Sequence, residues 1–207
     1  MAIRRILQME HPGDLRTLKR KSARVSQFDG ELAVLVEDMI ETMRSADGVG
    51  LSAPQVGVLR RVVTMEMPGE YEEQEDGSFT ESKPPQLYIL VNPEIVKIAD
   101  ERLPMLEGCL SLPGRFGDVE RAPWTHIKYR DLKGKEQRLK ATDHLLSQCI
   151  QHEIDHLDGI LFTERLADIT ALRDERRKPK RSRFLRPRQE NPVAGEVVAP
   201  EPVAPGA

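Results

Sequence analysis

One predicted helix constrains this chain more than any other segment, because it places a carboxylate where a helix is otherwise apolar. Thr142 and Asp143 are typical helix-start residues and Gly159 is a typical end, so we expect a helix over residues 144–158. Glu153 falls near the centre of its apolar arc, where desolvating an isolated carboxylate costs several kcal/mol. A purely structural helix would avoid that placement. The arc consists of Leu145, Leu146, Cys149, Ile150, Ile154 and Leu157.

The other half of this helix is polar, which predicts that only one side is buried. It carries Ser147, Gln148, Gln151, Asp155 and Asp158.

The same helix contains the HExxH pattern over residues 152–156. At about 100° per residue, His152 and His156 lie about 40° apart and one turn apart on one face. Two imidazoles can therefore reach one metal ion. The pattern also arises by chance in unrelated sequences, but the buried position of Glu153 favours the metal interpretation.

A catalytic metal site usually takes three protein ligands and leaves a position for water. The metzincin continuation of HExxH would need a histidine at the position of Phe162. Glu175 lies at a distance typical of thermolysin-like proteases, but in a strongly basic segment. The remaining candidate is Cys109, in a compact Glu-Gly-Cys-Leu-Ser segment bounded by two prolines.

The other elements predict an α+β fold with an antiparallel or mixed sheet around the HExxH helix. Apolar residues at three- and four-residue spacing predict a helix over residues 30–46. β-rich runs predict strands at 61–65, 87–91 and 94–98, and a hairpin over 124–139 that turns at a Lys-Gly pair.

Charge is distributed unevenly along the chain. Residues 66–82 hold seven acids and no Lys or Arg, which predicts a solvated loop between strands. Residues 173–188 hold nine Lys or Arg against two acids, and the chain is rich in Pro and Ala from position 191. We therefore expect a catalytic domain over residues 1–172 and a disordered tail over 173–207.

Composition limits the function classes. The chain has 207 residues, two cysteines and a net charge of -3, and its apolar runs are far shorter than the roughly 20 residues of a membrane-spanning helix. The opening MAIRRILQMEHP contains no apolar run of signal-peptide length. We expect a cytoplasmic protein with reduced cysteines, no membrane attachment and no global field that would attract nucleic acid.

Three motifs in order resemble peptide deformylase. They are GVGLSAPQ at residues 48–55, EGCLS at 107–111 and QHEIDH at 151–156, and the resemblance covers residues 3–170. The sequence departs from the family pattern at Ser52, where the family commonly has Ala, and in the long acidic segment 66–82.

The resemblance implies that Cys109, His152 and His156 bind a metal, with water as the fourth ligand. It implies that Glu153 is the general acid/base and that the Gln55 side chain and the Leu110 backbone N–H stabilise the developing oxyanion. The reaction would be removal of the N-formyl group from the formyl-methionine of new polypeptides, in which water attacks the formyl carbon and formate is released.

The implied metal is Fe(II) in the cell, whereas purified protein could carry zinc, nickel or cobalt, since a Cys/His/His set suits all four. An apolar slot for the methionine side chain is expected from Val49, Gly50, Leu145 and Cys149. Cys149 is a packing residue in this interpretation, because it is badly placed to share the metal with His152.

Two other functions stay open at this point: a metalloendoprotease that uses the same HExxH chemistry, and a zinc-stabilised binding module without a catalytic water. The expected partners are formylated nascent peptides and, through phosphate contacts of the basic tail, the ribosome. We expect a monomer.

Overall fold

The structure, a computed structural model, describes residues 2–74 and 77–175. Within these residues the helices are α1 (Pro12–Leu18), α2 (Gly30–Ser45) and α3 (His144–Leu157), and short 3-10 helices lie at Ala53–Val56, Phe162–Glu164 and Ile169–Ala171. Asp29 caps α2 by accepting from the N–H of Leu32, and Asp143 caps α3 by accepting from that of Leu146. The two helices predicted from the sequence are confirmed to within one residue.

The described strands form three sheets whose ladders are all antiparallel, which confirms the α+β class. The orders are β1-β2-β5-β8-β9, β10-β7-β6 and β3-β4. The strands are β1 (Gly50–Ser52), β2 (Val62–Met67), β3 (Glu70–Glu73), β4 (Phe79–Lys83), β5 (Gln86–Ile98), β6 (Leu103–Cys109), β7 (Leu112–Arg121), β8 (Thr125–Arg130), β9 (Glu136–Ala141) and β10 (Arg173–Asp174).

The five-stranded sheet has apolar side chains on both faces. Alternate residues of β2 point to opposite faces, so Val63 and Met65 join a core with α3 while Val62 joins a second core with α2. A smaller cluster under the second sheet includes Val119 and Phe162. Helix α3 therefore lies inside the molecule.

The prediction that α3 is buried on one side only is wrong. Its polar residues Ser147, Gln151 and Asp155 are also buried, whereas Leu145, assigned to the apolar arc, is 40% exposed. Hydrogen bonds compensate the burial: the Ser147 hydroxyl and the Gln151 amide both donate to the carbonyl of Ala122, at 3.0 Å each.

The strands predicted at 87–91 and 94–98 form a single strand, β5, with a bulge between them. Asn92 in this bulge has a φ of 53°, which Asn tolerates better than most residues. Its side chain accepts from the N–H of Val25 and donates to the carbonyl of the same residue, at 2.8 Å each. The hairpin predicted over 124–139 is present as β8 and β9.

The prediction of a solvated loop over residues 66–82 is wrong. Glu66 belongs to β2, and most of the segment forms the exposed β3–β4 hairpin, in which Tyr71 pairs with Glu81 and Glu73 pairs with Phe79. The hairpin buries no apolar face, so the sequence carries no alternation that would reveal it.

Strands β6 and β7 were not predicted, because the chain around Cys109 contains prolines and glycines. The structure shows that β6 is an edge strand, where Pro104 is tolerated.

The described chain stays part of the fold beyond residue 172, where we expected the catalytic domain to end. Strand β10 pairs with β7, and the N–H of Glu175 donates to the carbonyl of Gly114. Disorder was expected for residues 173–207, of which 176–207 lie outside the described residues. No helix in the described part of the chain combines the length and apolarity needed to cross a bilayer.

Candidate metal centre

The HExxH helix holds its three functional residues in the interior. His152, Glu153 and His156 are 8%, 3% and 1% exposed. The helix ends at Leu157 and is followed by Gly159, whose φ is 75° and where a Cβ would lie 2.5 Å from the carbonyl oxygen of Lys19. Only glycine fits this position, so the end of α3 is fixed closely after its second histidine.

Cys109 lies at the end of β6, beside the two histidines. One donor atom from each of Cys109, His152 and His156 lies within 4.8 Å of the others, and Sγ of Cys109 is 3.2 Å from Nε2 of His156. Within residues 2–74 and 77–175 this is the group of His, Cys, Asp and Glu side chains that can hold an ion. A thiolate with two imidazoles fits a divalent transition metal and leaves one position of a tetrahedron for water.

The two alternative positions for the third ligand, residues 162 and 175, do not supply one. Phe162 packs against the metal helix as an apolar residue, with its ring centroid 6.1 Å from that of His152. Glu175 is outside the cluster of potential ligands, and its backbone N–H donates to the carbonyl of Gly114 at 2.8 Å.

The orientation of His152 is set by Glu107 on β6. Nδ1 of His152 lies 2.8 Å from Oε2 of Glu107, and Arg121 donates to the same carboxylate at 2.7 and 3.1 Å. Burial raises the pKa of Glu107, but the hydrogen bonds from His152 and Arg121 outweigh it and lower the pKa to about 2. A charged carboxylate only accepts, so Nδ1 carries the hydrogen and Nε2 is left for a metal.

Burial and hydrogen bonding shift the pKa values of the two imidazoles in opposite directions. Burial lowers the pKa of His156 well below its usual value, which keeps the ring neutral, the form that binds metals. Burial also lowers the pKa of His152, but hydrogen bonds to Cys109 and Glu107 outweigh it and raise the pKa well above its usual value.

Glu153 lies beside the candidate ligands, and one of its two carboxylate oxygens lacks the hydrogen-bond partner that a buried carboxylate normally has. Its Oε2 is buried and makes no hydrogen bond to any described residue. Burial is the main cause that raises its pKa, to about 7. A Cβ at Gly50 would lie 2.5 Å from its Oε1, so only glycine allows β1 to approach this carboxylate. A carboxyl group in this state suits proton transfer near neutral pH.

Gln55 lies on the 3-10 helix that follows β1, and it is 1% exposed. Its Oε1 accepts from the backbone N–H of Ser52 at 2.8 Å and from the hydroxyl of Ser52 at 2.9 Å. These bonds turn Nε2 towards Sγ of Cys109, at 3.5 Å, and Oγ of Ser111, at 3.3 Å. A donor is therefore held beside the metal ligands before any substrate arrives.

Leu110 follows Cys109 in the turn between β6 and β7. Its carbonyl accepts from the side chain of Gln8 at 3.2 Å, and its side chain packs so closely that a Cβ at Gly48 would lie 2.6 Å from its Cδ1. The turn is thus held from both sides, by the N-terminal segment and by the Gly48 motif.

The residues predicted to form an apolar slot are only partly brought together. Gly50 and Cys149 are in contact, since a Cβ at Gly50 would lie 2.8 Å from Sγ of Cys149. Burial and the nearby Glu153 raise the pKa of the Cys149 thiol, which keeps it neutral and makes it a packing group. Val49 and Leu145 lie at the surface, 38% and 40% exposed.

Two residues of the centre were missed as functional residues in the sequence. Glu107 belongs to the motif that contains Cys109. A carboxylate buried beside potential metal ligands costs free energy unless it has a partner, and this cost was the signal that could have singled out Glu107. Arg121 gave no such signal, because its contact with Glu107 depends on the register of β6 and β7.

Comparisons with known proteins place this chain in a family. The polypeptide deformylase family model matches residues 3–171. A peptide deformylase of Chloroflexus aggregans is 51% identical over 84% of this chain and 93% of the relative. Peptide deformylase 1 of a Nostoc species is 39% identical over 82% of this chain and 83% of that protein.

Solved structures that resemble this chain are also peptide deformylases. The crystal structure of a peptide deformylase from Ehrlichia chaffeensis in complex with actinonin has a TM-score of 0.69 at 36% identity and covers 83% of this chain and 92% of that one. The peptide deformylase of Thermotoga maritima has a TM-score of 0.67 at 32% identity, over 81% of this chain and 100% of that one. The chain belongs to the polypeptide deformylase family.

Proposed function

We propose that the protein removes the formyl group from the N-terminal formyl-methionine of newly made polypeptides and releases formate. The observation that carries the proposal is the meeting of Cys109, His152 and His156 with a buried Glu153, whose Oε2 makes no hydrogen bond to a described residue. Membership of the polypeptide deformylase family supports the same reaction.

The three ligands would hold one divalent ion through Sγ of Cys109 and the imidazoles of His152 and His156. When bound, such an ion acts as a Lewis acid and makes water nucleophilic near neutral pH. The ligand set accepts Fe(II), zinc, nickel or cobalt. We propose Fe(II) as the metal in the cell.

Glu153 is the proposed general acid/base. It takes the proton of the attacking water and delivers it to the leaving amine, so one carboxylate serves both halves of the reaction. Its Oε2 makes no hydrogen bond to a described residue, and a group free of competing partners can reach both positions.

Gln55 and Leu110 are the proposed donors to the formyl oxygen, on which negative charge develops. Nε2 of Gln55 is directed to Cys109 by the two bonds from Ser52, and Leu110 is the next residue after Cys109. Donors fixed in advance stabilise this charge without reorganisation during the reaction.

The proposed slot for the methionine side chain combines Val49, Gly50, Leu145 and Cys149. Gly50 and Cys149 give a closed apolar floor beside Glu153, while Val49 and Leu145 contribute exposed apolar surface that a substrate can cover. We further propose that the enzyme acts as a cytoplasmic monomer.

Release of formate from formyl-Met-Ala-Ser tests the proposal, with unformylated Met-Ala-Ser as the matched control. We expect one formate per new amino terminus and no internal cleavage. Hydrolysis of an internal peptide bond without formate would establish the metalloendoprotease instead. A metal held by four protein ligands, with no turnover of either peptide, would establish a binding module.

A further inference from the structure

Asp155 lies between the two metal-binding histidines on α3, but its side chain points away from them into a set of buried ion pairs. It is 7% exposed. Arg121 donates to its Oδ2 at 2.7 Å, and Arg165 donates to Oδ1 at 2.6 Å and to Oδ2 at 3.1 Å. The carboxylate of Asp155 is therefore shared by two guanidinium groups.

Arg121 connects this carboxylate to the metal ligand. It also binds Glu107 through two nitrogens, and Glu107 accepts from Nδ1 of His152 at 2.8 Å. The path from Arg165 to His152 thus runs through Asp155, Arg121 and Glu107 without a gap.

Arg165 is the second guanidinium among the two carboxylates of this path. Glu107 and Asp155 are two buried carboxylates that share Arg121, whose side chain is 5% exposed. Arg165 brings the second positive charge from the chain segment after α3, and its side chain is 44% exposed. Without it, Asp155 would have to draw on Arg121 alone and would compete with Glu107 for the same guanidinium.

We propose that Arg165 is a positioning residue of the metal centre. By holding Asp155 it leaves Arg121 in place for Glu107, and Glu107 then keeps Nε2 of His152 directed at the metal. The proposal rests on the proposed metal site and adds to it a residue outside the three motifs, which touches neither metal nor substrate. It predicts that Arg165 controls how long the metal stays bound.

Metal release measures this role without using turnover. The full chain is loaded with Co(II), and its release to an excess of chelator is followed through the thiolate-to-Co(II) absorption of Cys109. Loss of a hydrogen-bond partner of a metal ligand typically changes metal affinity 10- to 100-fold. Because Arg121 and Asp155 lie between Arg165 and this partner, Glu107, we expect Arg165→Ala to release Co(II) only about 3- to 10-fold faster and to shift the absorption band.

Arg165→Lys is the conservative variant. It keeps the charge but loses the two-nitrogen geometry, so we expect a release rate between those of the wild type and Arg165→Ala. The matched control is Lys19→Ala, which removes the ion pair of Lys19 with Glu164, at 2.6 Å, on the residue adjacent to Arg165. The control should release Co(II) at the wild-type rate.

Wild-type release and an unchanged band in Arg165→Ala would overturn the inference. Equal acceleration in Lys19→Ala would also overturn it, because general loosening of the turn would then explain the effect. Failure of the wild type to bind one Co(II) with a thiolate band would instead contradict the proposed metal site, so the two failures are distinguishable.

Discussion

The surroundings of helix α3 and the β3–β4 hairpin are both rich in charged residues, but they use charge in opposite ways. At the helix, Glu107, Arg121 and Asp155 are all buried and each contacts at least one group of opposite charge. In the hairpin, the pair of Lys83 with Glu70 lies in the open, with side chains 59% and 67% exposed. Ion pairs in water contribute little, whereas a buried charge that loses its partner costs several kcal/mol. The comparison teaches that burial, and not charge density, marks the charges on which the proposed chemistry depends.

Substitution of Glu153 should give the largest effect on turnover, because Glu153 is a buried carboxylate that forms no ion pair with any other described residue. We expect Glu153→Ala to lower kcat by about 100-fold or more, the usual loss when a general acid/base is removed, while the metal content stays unchanged. Formate release and metal analysis on the same preparation measure both. A variant that keeps more than about a tenth of the wild-type rate would contradict the assigned role.

Arg121 tests the buried side of the comparison through stability. Arg121→Met keeps much of the side-chain volume but leaves Glu107 and Asp155 short of a partner, so we expect the free energy of unfolding to fall by about 3–5 kcal/mol. Denaturant unfolding measures this. Lys83→Ala in the hairpin is the control and should change it by less than about 0.5 kcal/mol.

A second substitution sharpens the same test. Adding Glu107→Gln to Arg121→Met removes one of the stranded charges, so the double variant should be more stable than the sum of the two single changes predicts. If Arg121→Met and Lys83→Ala lowered the free energy of unfolding equally, burial would not explain the difference between the two regions.

Substitution of Cys109 should weaken metal retention. Cys109→Ser replaces a strong thiolate ligand with a hydroxyl, so we expect the metal to be lost on dialysis against a chelator that leaves the wild type loaded. Cys109→Asp keeps a negative charge on a harder oxygen and should retain metal to an intermediate degree. Retention by Cys109→Ser equal to that of the wild type would exclude Cys109 as a ligand.

The sequence predicted the parts of this molecule that depend on local periodicity. Helices α2 and α3 repeat apolar residues at helical spacing, and the HExxH geometry follows from the helix alone. The β3–β4 hairpin was not predicted because it has no apolar face. Strand β6 was not predicted because proline usually argues against a strand, although an edge strand tolerates it.

The ion pairs around the metal helix could not be predicted from the sequence. Glu107 and Arg121 lie 14 positions apart and meet only through the pairing of β6 with β7. Asp155 was assigned to a solvent-facing side because helical periodicity separates polar from apolar residues, but it cannot show that a polar residue has a buried partner. Contacts of this kind depend on tertiary structure.

The smallest effect on turnover is expected from the C-terminal tail. Residues 173–188 carry nine Lys or Arg against two acids, and we propose that this segment holds the enzyme near the ribosome through phosphate contacts. Because Arg173–Asp174 pairs with β7 and the N–H of Glu175 donates to Gly114, the deletion should begin at residue 176 and leave these contacts intact. The variant lacking 176–207 should hydrolyse a free formyl-peptide at the wild-type rate.

Binding to phosphates releases counterions and weakens steeply with salt, so the full chain should co-sediment with ribosomes at low salt and lose this binding as salt rises. The truncated protein should not co-sediment at either salt concentration. A matched variant of the full chain with three of the tail's Arg residues changed to Gln should sediment less at every salt concentration, with a shallower salt dependence. Equal sedimentation of the truncated and full chains at low salt would show that these charges, like those of the hairpin, are only solvated.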